Sequence, residues 1–253
     1  MNEQPDRNKC QFVTDVALCN FPTVLPGQAQ TSRDNNTTKI YGIELYLPEI
    51  KGSLLDAMTY VAGFYDKARS PMIHVANKIK KLEEMPTRDP AKYPYAQGMY
   101  VVNIRKNVSL KMLKMDGANL NDPATRALYE TRVNEQAPNV VRLANLEDPG
   151  DLARIDQVNQ QRALLKLQPL TPTNGRLWLP CTAQEIWGGC KVRVAGRVFW
   201  EGQYKKTIAL ALEQVMLVAQ GDKLQAGEAN PEDLFGGFAP AEALAPDPLA
   251  AFM

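Results

Sequence analysis

Histidine is almost missing from this chain of 253 residues: His74 is the only one. A site built on two histidines is excluded, and any Ser or Cys nucleophile would have to rely on this single ring as its base. The four cysteines, Cys10, Cys19, Cys181 and Cys190, form no CxxC pair, which argues for buried thiols rather than a zinc site or a disulfide framework. There is no GxxxxGK[ST], no GxGxxG after a strand, no GxSxG and no HExxH, so nucleotide hydrolysis, dinucleotide chemistry and the commoner hydrolase mechanisms lose the arrangements they depend on. The acid pairs Glu83-Glu84 and Asp148 with Asp151 lie in polar stretches and point to no particular metal. No apolar run approaches the roughly 20 residues that span a bilayer, and the start from Met1 to Lys9 is too polar for a secretory signal. The expectation is a cytoplasmic protein with no membrane association, no metal, no cofactor and no catalytic residues.

What is present divides unevenly. An apolar share of 45% supplies a real core, but the formal net charge of +1 hides a split. From Leu224 to Met253 there are five acids and no Lys or Arg, so up to residue 223 the chain sets 29 basic residues against the other 23 of its 28 acids, a net of +6. A basic body with an acidic end fits a nucleic-acid binder carrying an interaction tail. The tail is otherwise rich in Ala, Pro and Gly, with isolated Leu234, Phe235, Phe238 and Phe252 and the acid Asp247, so disorder with short docking points is expected from 224 to 253.

The richest stretch is Trp187 to Leu217, where WGGCKVRVAGRVFW and TIALALEQVML flank a basic EGQYKK turn. This reads as a long β-hairpin. Val192, Val194 and Val198 share one parity and Lys191, Arg193, Arg197 and Phe199 the other, while Ile208, Leu210 and Leu212 make the apolar face of the return strand. One face packs and the other is flat and positive. Such a surface suits a single strand of nucleic acid, with phosphates on Lys191, Arg193, Arg197, Lys205 and Lys206 and bases stacked on Phe199, Trp200, Tyr204 or Trp187. Simple alternation puts Trp200 on the valine side, and a bulge at Gly196 would turn it to the other. Tyr41, Tyr46 and Tyr100 on earlier strands are further candidate rings, with Arg105 and Lys106 as candidate cations closing the third strand.

Ahead of the hairpin, strands are predicted at Gln11–Leu18 (with Phe12, Val16 and Leu18 on one side), Lys39–Leu47 and Met99–Ile104. Gly42 marks a bulge or a close approach. An amphipathic helix opens at Ser53 as its N-cap and is broken at Pro71. The polar region at about 107–175 holds two helix candidates, beginning at Asp122-Pro123 and at Asp151, with thin apolar stripes, and is read as an insertion in a unit running from 1 to 223. This order predicts a mainly β fold with α insertions, compatible with a small OB-type Greek-key barrel; an α+β sheet with helices on one face is the alternative.

The run Gly189-Cys190-Lys191-Val192-Arg193-Val194, continued by Val198-Phe199-Trp200, Ile208 to Val215, Gln220-Gly221-Asp222 and Leu224, resembles the C-terminal pattern of phage single-stranded DNA-binding proteins. The opening strand and the helix after the second strand are similar too. The resemblance implies an OB-fold with a disordered acidic C-terminal tail, single-stranded DNA as ligand, a role in phage DNA replication and recombination, and recruitment of polymerase, helicase or primase by the tail, with homo-oligomers compatible. The region at 107–175 is longer than the connection in that family, and Phe252 is followed by Met253 where related acidic tails finish on an aromatic residue. Two other classes stay open at this point: a structural or adaptor protein without DNA contact, and a nucleic-acid enzyme using carboxylate-bound magnesium.

Overall fold

The computed structural model describes residues 4–224 apart from positions 34, 36, 173 and 203–205. Tyr204, Lys205 and the tail positions Leu234, Phe235, Phe238, Asp247 and Phe252 lie outside the described residues. The described strands are β1 (Gln11–Val13), β2 (Ala17–Thr23), β3 (Gln30–Thr31), β4 (Thr38–Leu47), β5 (Lys80–Lys81), β6 (Tyr100–Ser109), β7 (Asn139–Leu143), β8 (Trp178–Pro180), β9 (Lys191–Glu201) and β10 (Thr207–Ala219). The helices are α1 (Gly52–Tyr65), α2 (Pro71–Lys78), α3 (Pro123–Glu135) and α4 (Pro149–Leu164). No helix among the described residues is long and apolar enough to cross a membrane.

Five strands pair in a ring. β9 joins β2, β2 joins β4, β4 joins β6, β6 joins β10, and β10 returns to β9. The ring is thinnest where β6 meets β10 in parallel, at the single pair Arg105 and Ala211. Its interior is filled by the inward positions of these strands, including Cys19, Leu45, Val102, Ile104, Val194, Val198, Ile208 and Leu212. α1 covers it with Leu54, Ala57, Met58, Val61 and Ala62, a stripe at i, i+3, i+4, i+7 and i+8.

Several expectations are corrected by packing. The first strand is two, because Thr14 leaves the ladder and bonds Val194 through both its backbone N–H (2.9 Å) and its hydroxyl (3.0 Å). The phase shifts there, so Val16 is exposed while Phe12, Ala17 and Cys19 are buried. Ser53 does not cap α1; its hydroxyl bonds the backbone of Val13 as donor and acceptor, both at 2.9 Å. α4 begins at Pro149, capped by Asp148, and not at Asp151. The third strand runs on through Arg105 and Lys106 to Ser109, since β4 pairs with it over its whole length.

The region at 107–175 is more than a helical insertion. Between its helices it supplies β7, which pairs in parallel with β10 from Gln214 to Leu217 and carries β8 on its other side. A bulge at Glu213 lets Leu212 and Val215 both face the interior, and a second register shift follows between Leu217 and Ala219, so the irregularities fall on β10 and not at Gly196. Gly196 is needed for a different reason: a Cβ there would lie 2.2 Å from the Ala211 carbonyl oxygen and 2.7 Å from the Phe12 ring. The irregularity suspected at Gly42 is on the neighbouring strand, where β2 gains a residue between Asn20 and Thr23, at Phe21-Pro22. Proline fits there because a bulge spares it a ladder hydrogen bond.

Candidate nucleic-acid interface

Along β9 the alternation is unbroken. Val192, Val194, Gly196 and Val198 are buried, while Lys191, Arg193 and Phe199 are exposed. The partner strand presents small side chains to that outer face, with Ala211 beside Arg197 and Ala209 beside Phe199. Phe199 is 46% exposed, so one large ring stands clear of the sheet.

The same unbroken parity carries Trp200 to the inner side. Its ring stacks on Tyr65, with centroids 5.6 Å apart and planes 7° from parallel, and meets His74 edge-on at 5.2 Å. Trp187 also packs against the core, donating its indole N–H to the Gly221 carbonyl at 2.9 Å beneath the Lys223 ammonium. Both tryptophans therefore act as packing residues rather than outward platforms. Tyr41 and Tyr46 are buried as well: Tyr41 donates to the Val133 carbonyl (3.0 Å) and Tyr46 to Glu44 (2.7 Å). Tyr100 is partly exposed, with the Lys81 ammonium 5.6 Å from its ring centre.

The paired cations Arg105 and Lys106 point opposite ways. Lys106 shares its side of the ladder with Tyr41 and is half-buried, and that burial lowers its pKa. Arg105 shares the other side with Gly42 and is exposed. Through Ala211 it lies in one cross-strand row with Arg197, whose charge is offset by Glu213 at 2.7 Å. Strand spacing puts the two arginines about 10 Å apart on the outer surface.

Next to this row is a groove of about 520 Å3 over the outer face of β4 and β6. It is lined by Gly42, Asn103 and Arg105 of those strands, by Arg33 and residues of β3, and by Arg88. The lining also includes an acid. Glu44 is only 5% exposed, and it is neutralised by a two-pronged contact from Arg88 whose Nη1 arm measures 2.7 Å. The Tyr46 hydroxyl completes this cluster, receiving hydrogen bonds from Asn20 and from Arg88, each at 3.2 Å. Burial first, and the Glu44 hydrogen bond second, push the phenol far above its ordinary range, so it remains a donor to the carboxylate. With Glu44 satisfied from within, Arg33 and Arg105 are exposed and have no ion-pair partner among the described residues. Arg33 and Arg88 were not expected from sequence, because a polar loop and a proline-rich segment carry no periodic signal.

The remaining β9 cations are elsewhere. Arg193 borders an apolar depression of about 180 Å3 with Val13, Val141, Trp178 and Met216, and Lys191 stands beside Leu18 and Ala219. Lys206 is exposed, with a left-handed backbone (φ 43°) at the start of the return strand. Among the described residues no group of three or more His, Cys, Asp or Glu side chains is arranged to hold a metal ion.

No family model matches this chain, and no curated protein does. Among solved structures it is similar to the single-stranded DNA-binding protein from bacteriophage Enc34, at 15% identity over 92% of this chain and 97% of that one, with a TM-score of 0.36. It is also similar to gp2.5, a single-stranded DNA-binding protein encoded by bacteriophage T7, at 12% identity over 90% of this chain and 94% of that one, with a TM-score of 0.39.

Proposed function

We propose that this chain binds single-stranded DNA without reading its sequence, and that the strand lies in the groove over β4 and β6. The observation that carries this is the match of shape and charge: an open groove on a small barrel, flanked by Arg33 and Arg105 with no acid paired to them among the described residues. Phosphates are held by such guanidiniums, and bases stack on rings whatever their identity. Phe199, 46% exposed on the outer face of β9, supplies a ring for such stacking.

In chain order the ring runs first, second, third, fifth, fourth, which we read as an OB-type Greek-key barrel. In that architecture the second and third strands and the hairpin loops hold oligonucleotides, which are β4 and β6 here. The DNA-binding unit on this reading is 1–223, with 107–175 built into it, followed by the acidic segment 224–253. Those acids compete for the cationic face when DNA is absent and leave Leu234, Phe235 and Phe252 to recruit replication proteins when it is present. The resemblance of the Gly189–Leu224 stretch to phage proteins supports a setting in phage replication and recombination in the host cytoplasm, with no catalysis by this chain.

The test is fluorescence anisotropy with oligo-dT and with duplex at two salt concentrations. Preference for the single strand, a steep loss of affinity with salt, and loss of binding in R105E are expected. Equal affinity for duplex, or no salt slope, would overturn the reading. Deleting everything after Lys223 is expected to raise affinity; unchanged or lower affinity removes the competition alone.

A second reading, an adaptor without DNA contact, is favoured by Leu164, Leu165 and Leu167 at the end of α4, exposed at 84%, 71% and 51%. Exposed apolar clusters of this kind mark protein contacts. This reading predicts no anisotropy change with any oligonucleotide.

A further inference from the structure

The groove over β4 and β6 has a neighbour. On the other side of the short β3–β4 ladder is a second polar pocket of about 450 Å3, between Thr37 and Lys39 on one side and Asn119, Asn121 and Arg126 on the other. Thr31 lines both pockets, so only the width of the β3 edge separates them. In this pocket Lys39 is neutralised by Glu130 at 3.1 Å, whereas Arg126 is exposed on α3 and has no ion-pair partner among the described residues. The pocket is thus left with one unpaired guanidinium, amide and hydroxyl groups around it, and no unpaired acid among its lining residues.

Hydrogen bonds also join α3 to the strand beneath the groove. Tyr129 of α3 donates to the Thr37 carbonyl (3.0 Å), Tyr41 of β4 donates to the Val133 carbonyl of α3 (3.0 Å), and Asn134 accepts from the Gly27 N–H (2.8 Å). Tyr41, Val108, Tyr129 and Val133 belong to one apolar cluster beneath these bonds. α3 is therefore tied to β4, whose Ile40, Gly42 and Glu44 line the groove, and to the segment before β3.

We propose that this second pocket is a phosphate subsite on the path of the same DNA strand, which leaves the groove across the β3 edge and meets Arg126. The proposal rests on the groove being the DNA site and extends it: α3, within the long 107–175 region, enlarges the footprint on the strand. Site sizes of about 4–16 nucleotides per OB-type unit leave room for such an extension.

The experiment is a ladder of oligo-dT lengths titrated by anisotropy against the full chain, R126E and R105E, at several salt concentrations. R126E is expected to bind the shortest oligomers like the parent, to lose several-fold in affinity once the oligomer is long enough to cross β3, and to show a salt slope smaller by about 0.7 on those long oligomers, the loss of one phosphate contact. The milder R126A is expected to give the same length dependence with a smaller loss. R126E matching the parent at every length, or losing equally at every length, would overturn the subsite. If that happens while R105E abolishes binding, the groove stands without its extension; a parent chain that binds no oligomer of any length removes both.

Discussion

Two buried arginine–carboxylate clusters, built from the same chemistry, serve opposite ends in this molecule. Under the groove, Arg88 holds Glu44 in a sheet floor that also buries Tyr46 and Asn20. Beside β7, Arg142 holds Asp151 of α4 and Glu185, and Arg154 of α4 holds Glu185 again and reaches the Pro180 carbonyl. The first cluster lines a groove and, on the proposed reading, hides an acid from the phosphates of the bound strand. The second lines a surface depression beside Leu217 and Gln220 and fastens a helix whose apolar face is thin: its only buried residue is Asp151. Where apolar area is scarce, ion pairs position an element; where a ligand must be anionic, the same pair cancels a charge.

The largest effect expected is at the second cluster. Arg142→Met leaves Asp151 buried without its main partner, which costs roughly 3 kcal/mol of stability, at the low end for a broken buried pair because part of the guanidinium is wet. Urea denaturation measures this, and oligo-dT affinity is expected to hold once the protein is folded. Acid gives a second readout. The Arg142 hydrogen bonds lower Asp151 to about 2, and although burial alone would raise Glu185, hydrogen bonds from Arg154, Thr182 and Arg142 bring it also to about 2. Both carboxyls titrate lower in the folded chain than in the unfolded one, so they stabilise it above about pH 4 and lose that contribution as pH falls toward about 2. Thermal melts of the parent are expected to fall steeply over that window and those of Arg142→Met more gently. An identical pH slope in both proteins would mean the cluster is not what acid undoes.

A smaller loss of stability, about 2 kcal/mol, is expected for Arg88→Ala, since Glu44 keeps its Tyr46 hydrogen bond. Unlike the first change, it is also expected to weaken DNA binding if the groove is the DNA site as proposed, because an uncompensated carboxylate then lines it. An undiminished affinity would make the two clusters equivalent. The smallest effect is at Phe199→Ala: about 1 kcal/mol of affinity, the low end for one stacked base, and stability within about 0.5 kcal/mol.

The hairpin was legible because its alternation is strict and its outer face is open: Val192, Val194, Val198, Ile208, Leu210 and Leu212 are all buried as their parity predicts. At Tyr46 the alternation says less. From Ile43 onward β4 is covered on both faces, the outer one by Leu82, Ala96 and the partly buried Met85, Tyr93 and Tyr95, so parity alone could not say which side met solvent. β7 escaped detection because Asn139–Leu143 is five residues long and takes its partner from a strand about 75 positions away. Arg33 and Arg88 had no signal at all, since a groove wall is made of loops brought together by the strands beneath them.

The extra residue at Glu213 has a consequence for how this molecule is divided. Up to Ala211 the last strand closes the ring against β6, and from Gln214 it carries β7 instead. One position therefore marks the seam between barrel and annex, and it also sets which side of the sheet Val215 and Leu217 occupy. Shortening the chain by that one residue would not trim a loop; it would turn the second half of the strand inside out and unhook α4 from the barrel at the same stroke.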